Sequence, residues 1–111
     1  MANKLWAFTM KVAAPAGEAF PGGGSGALVP TFVGAPDHEA AVRMGVRVIA
    51  ARQLAFRDLQ GPVREIPLAE WTAYVTKVWP DHADALPTQP ELPDLVETGT
   101  VVFGPFLTYD A

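Results

Sequence analysis

From Leu5 to Val12 apolar side chains alternate with others, Trp6, Phe8, Met10 and Val12 recurring at every second residue. That period predicts a strand with one buried face. A stretch rich in proline and glycine follows from Pro15 to Gly26, closing on Pro21-Gly22-Gly23-Gly24-Ser25-Gly26, and reads as a flexible hairpin loop. Apolar character returns at Ala27 to Val33. Pro30 withholds one ladder donor there, which predicts an edge strand or a bulge.

The period then changes. Asp37 can accept from the free amides of a first helical turn, and Glu39 adds negative charge where the helix dipole favours it. Ala41, Met44, Val48 and Ala51 mark a buried helix face, with Arg43 and Arg47 a turn apart on another. Gly45 weakens this helix by about 1 kcal/mol relative to alanine, and close approach to a sheet would compensate. The helix is expected to end near Ala51. Leu54 to Leu59 then reads as extended and Gly61-Pro62 as a break before Val63 to Ile66; a single long helix capped at Gly61 is the rival reading.

Pro67 suits the first turn of a second helix, whose stripe is Leu68, Trp71, Val75, Val78 and Trp79, with Thr72, Thr76 and Lys77 facing away. Pro80 ends it. Between Pro80 and Gly99 the chain is a proline-rich acidic loop, with any helix, as at Asp81 to Leu86, necessarily short. Thr100 to Tyr109 closes the chain as a β-rich segment interrupted at Gly104-Pro105. The expected fold is a single α+β domain over 1–111 in the order β-β-α-β-α-β. It has two layers, a mainly antiparallel sheet of about four to five strands with two helices on one face.

Length and composition agree with that picture. The 111 residues suit one domain, and 50% hydrophobic with 18% charged residues is the composition of a folding chain. No cysteine is present, which excludes disulfides, thiol nucleophiles and zinc–thiolate sites. The net charge of −4 and scattered basic residues argue against nucleic-acid binding. No run approaches the roughly 18 apolar residues of a membrane helix, and the N-terminus lacks the apolar core of a signal peptide, so a soluble, cytoplasmic protein with no membrane partner is expected. A mean hydropathy of +0.17 is high for a small acidic domain, and surplus apolar surface is often covered by a partner or a second copy.

Chemistry-bearing residues are few. Gly23-Gly24-Ser25-Gly26-Ala27 is one residue away from a nucleophile elbow, but the strand before and helix after the serine are missing, and a flexible loop is the better reading. Both histidines stand in Pro-Asp-His, and His38 and His82 would supply a carboxylate-bearing metal site if folding joined them; a helix-start signal used twice is the simpler account. Trp71, Tyr74 and Trp79, with Trp6, could wall a ligand pocket between the second helix and the sheet, although core packing is the better account of such a stripe. Two P-x-x-P spacings in Pro87 to Pro93 lack the basic flank of a polyproline ligand and read as a stiff loop.

Asp81, Asp84, Glu91, Asp94 and Glu97 make 81–97 the most negative region and the surface for any basic partner. No nucleophile and base stand at a recognisable spacing, so the sequence leans against an enzyme and implies no cofactor. The leading reading is a small acidic protein acting through protein–protein interaction or self-association, with an edge strand near the C-terminus available for β-augmentation. The alternative is a small-molecule-binding domain or minor enzyme using the aromatic pocket.

Overall fold

The computed structural model describes residues 3–15 and 24–109. Two ten-residue strands, β1 (Lys4–Ala13) and β2 (Gly26–Ala35), pair antiparallel along their whole length, from Lys4 opposite Ala35 to Ala13 opposite Gly26. The Ala14 N–H donates to the Ser25 carbonyl at 2.9 Å and continues this pairing toward the connection. Most of the Pro15 to Gly26 loop lies outside the described residues.

Each outer edge of this pair is covered by two short strands in a row. Strands β3 (Ala55–Leu59) and β4 (Arg64–Ile66) both pair antiparallel with β1, and β5 (Val101–Phe103) and β6 (Leu107–Tyr109) both pair antiparallel with β2. Gly61-Pro62 and Gly104-Pro105 stand at the two interruptions, as their inability to sustain a ladder predicts. The sheet therefore has six strands rather than four or five.

Pro30 corrects its own sequence reading. It sits inside β2, a strand paired on both sides. A residue's N–H and C=O point to the same side of an antiparallel strand. The Pro30 carbonyl accepts from the Gly104 N–H at 2.8 Å, so the absent donor of Pro30 faces the gap between β5 and β6, where no ladder partner is missing one. Across the sheet, Thr9 pairs with Pro30 and its carbonyl accepts from the Gln60 N–H at 2.9 Å beside the other interruption.

Helix α1 (His38–Ala51) begins where expected, with Asp37 Oδ1 accepting from the Ala40 N–H at 2.8 Å. It also ends where expected, which removes the single long helix. Gln53 takes φ +64°, and the Leu54 and Gln53 N–H groups donate to the Ile49 and Ala50 carbonyls, a Schellman closure built without glycine. The buried face is centred on Ala41, Gly45 and Ile49, with Met44 and Val48 beside it and Ala51 exposed. A Cβ on Gly45 would lie 2.9 Å from Phe8 Cζ, so this glycine does permit close approach to the sheet.

Helix α2 (Trp71–Val78) follows a 3-10 turn at Leu68–Glu70. The stretch read as a proline-rich loop is largely helical: 3-10 turns at Pro80–Ala85 and Gln89–Glu91, then α3 (Leu92–Thr98). Pro80, Pro90 and Pro93 each stand in a first turn, where a missing N–H costs nothing.

The helices do not share a face of the sheet. Phe8, Met10, Val12, Val29 and Val33 pack with Ala41 and Ile49 of α1, whereas Leu5 and Phe32 pack with Trp71 and Val75 of α2 and Leu92 and Val96 of α3. The domain is α+β but has three layers, with α1 on one face and α2 and α3 on the other. The alternation at Trp6 to Val12 gave one face, but the intervening Leu5 is also buried, as happens in a strand covered on both sides. Among the described residues no helix is long and apolar enough to cross a membrane.

Candidate functional site

On the α2 side the core is tightly closed under α3, where the space left between Leu5, Phe32, Gly34 and Val96 is about 10 Å³. Beside α2 it is not closed. A cleft of about 550 Å³ runs between α2, the middle of β1 and β2, and the β3–β4 connection. Its origin is the shortness of the facing side chains: Ala7 and Thr9 on β1, Pro30 on β2 and Ala73 on α2 do not fill the gap. Gln60 and Pro62, in the connection between β3 and β4, line the same space.

Glu70, Ala73, Tyr74 and Lys77, at the i, i+3, i+4, i+7 spacing, face the cleft, offset from the Trp71 and Val75 that enter the core. Tyr74 is held by rings. Phe32 meets Trp71 edge-on at 5.1 Å and Tyr74 edge-on at 5.9 Å, and Trp71 stacks on Tyr74 at 5.9 Å. Trp71 itself is 1% exposed and anchored by its Nε1–H donating to the Pro87 carbonyl at 2.8 Å. Gln89 ties the start of α2 down, its Oε1 accepting from the Thr72 N–H at 3.0 Å and the Thr72 hydroxyl at 2.8 Å.

Trp79, just past α2, also lines the cleft. Its backbone N–H donates to the Val75 carbonyl at 2.8 Å, while its indole Nε1–H is buried with no acceptor among the described residues. An unsatisfied buried donor costs about 1–3 kcal/mol. Arg64 and Ile66 alternate with Glu65 along β4, and Arg64 stands opposite Ala7, on the cleft side. Glu65 stands opposite Trp6 on the other side, where its carboxylate meets Lys4 Nζ at 3.7 Å.

The aromatic residues singled out in the sequence are thus divided. Tyr74 and Trp79 line the cleft and Trp71 lies in the core behind it. Trp6 packs on the α1 side, where its Nε1–H donates to the Ala35 carbonyl at 3.0 Å. The histidines are divided too: His38 lies edge-on to Trp6 at 6.1 Å and His82 edge-on to Trp79 at 6.2 Å. Among the described residues no three His, Cys, Asp or Glu side chains gather to hold a metal ion. Ser25 lies in the bend that leads into β2.

Of the acidic set, Asp81 and Asp84 are exposed in the turn after α2, and Asp94 and Glu97 on α3. Glu91 is engaged locally: its Oε1 accepts from the Thr88 N–H at 3.0 Å and the Thr88 hydroxyl at 2.8 Å, and these bonds hold its carboxyl below the ordinary carboxylate range. Sequence reasoning missed Glu70, Lys77 and Arg64 as cleft residues. The signal for the first two was the second i, i+3, i+4, i+7 set beside the core stripe.

Compared with protein-family models, curated proteins and solved structures, the chain finds no match.

Proposed function

We propose that this protein is a small-molecule-binding domain, with its ligand taken into the cleft between α2 and the sheet. The observation that carries this reading is a volume of about 550 Å³ walled by Tyr74 and Trp79, inside the range of roughly 300–1,000 Å³ typical of ligand sites. Thr9, Gln60, Arg64, Glu70 and Lys77 stand among the apolar wall residues and supply polar groups that can orient a ligand. A docking or self-associating role has less to stand on. Among the described residues the large aliphatic side chains that remain exposed are Val78 (44%) on α2 and Leu107 (46%) on β6.

Ala73 offers the test, because it faces the cleft from an exposed helical position. Ala73→Trp should fill the space while leaving the fold intact, as judged by near-ultraviolet circular dichroism. Neutral phenylnaphthylamine, followed by its fluorescence, should bind the wild type saturably with one site and lose that binding in the variant. Absence of saturable binding, or equal binding by Ala73→Trp, overturns the proposal.

A further inference from the structure

The charges at the cleft deepen this reading and rest on it. The chain as a whole carries −4, yet the lining brings in Arg64 and Lys77. Neither has a carboxylate within ion-pair distance among the described residues. Of the two acidic residues at the lining, Glu65 is directed to the opposite face and paired with Lys4. Glu70 remains, separated from Lys77 by about two helical turns, roughly 10 Å along the axis. With Glu65 paired elsewhere, two cations that lack an ion-pair partner among the described residues stand against the single Glu70 carboxylate, a lining of net positive charge in an acidic protein.

Around these two cations the walls are flat and apolar: Tyr74, Phe32, Pro30 and Pro62. We infer that the cleft is built for a small organic anion, an aromatic or similarly flat body lying against Tyr74 and Trp79 and carrying a carboxylate or sulfonate drawn by Arg64 and Lys77. Charge-assisted hydrogen bonds from both cations would fix its orientation.

Two probes sharing an aromatic body separate this inference from the parent reading: anilinonaphthalene sulfonate, which is an anion, and phenylnaphthylamine, which is neutral. The folded wild type should bind the sulfonate on the order of tenfold more tightly, a difference of about 1.4 kcal/mol. That preference should shrink with added salt and fall close to unity in the Arg64→Gln, Lys77→Gln double variant, both positions being exposed. Equal affinities for the two probes, or a preference that survives in the double variant, overturn the anion inference while cleft binding stands. If neither probe binds, or Ala73→Trp binds both, the cleft reading falls and this inference with it.

Discussion

Gly34 is the position at which the docking of α3 can be tested by a single methyl group. It lies in β2 opposite Leu5, and a Cβ built on it would fall on the Val96 carbonyl oxygen and 2.5 Å from the Val96 Cα. These are backbone atoms and cannot rotate aside. The Val96 carbonyl is also fixed, accepting from the Asn3 amide at 3.0 Å and the Gly99 N–H at 3.2 Å. In Gly34→Ala the helix must lift, pulling Leu92 and Val96 from contacts in which they are 2% and 3% exposed. Overpacking of this kind costs about 3 kcal/mol, and alanine recovers about 0.5–1 kcal/mol over glycine in a strand.

The net loss is then about 2 kcal/mol, or roughly 8–16 °C in Tm for a domain of this size. Urea unfolding followed by circular dichroism measures it. Gly45→Ala is the internal comparison: its new Cβ meets the edge of the Phe8 ring at 2.9 Å, a side chain rather than backbone, and helix propensity improves by about 1 kcal/mol to offset that contact. A Gly34→Ala protein within about 0.5 kcal/mol of wild type, or less affected than Gly45→Ala, would refute the close seating of α3 on β2.

Gln53→Gly should raise the urea midpoint, with about 0.5–1 kcal/mol gained by relieving a side chain held at φ +64° and partly offset by a freer unfolded chain. For Glu91, the lowered folded-state pKa means that its stabilising contribution is present above the unfolded value and lost as pH falls through the folded one. The midpoints of wild type and Glu91→Ala should therefore differ most at neutral pH and converge below the ordinary carboxylate range. A difference that persists unchanged in acid would show that the Thr88 contacts do not depend on the ionised form.

The elements with a strong local cause were legible in the sequence. Asp37 announced α1, Gly61-Pro62 and Gly104-Pro105 announced the breaks, and Gly45 announced a close approach that Phe8 and Thr31 provide. What was not legible depended on partners distant in the chain. Pro30 read as an edge residue because the interruption that tolerates it, Gly104-Pro105, lies more than seventy positions later. Leu5 and Ala7 looked incidental to the Trp6 to Val12 alternation until α2 and α3 covered them. The cleft was half visible: Tyr74 and Trp79 were candidates for an aromatic wall, but the space itself comes from short side chains at Ala7, Thr9 and Ala73, which no motif advertises.

The paired Gly-Pro interruptions bear on how this sheet behaves in a crowded solution. Neither outer row offers more than the five residues of β3 before the ladder stops, and the other three segments are three residues long. A stray extended chain finds no long continuous template on either flank, which is how natural sheets avoid growing into fibrils. An apolar, acidic domain with two open flanks thus carries its own safeguard against runaway strand addition.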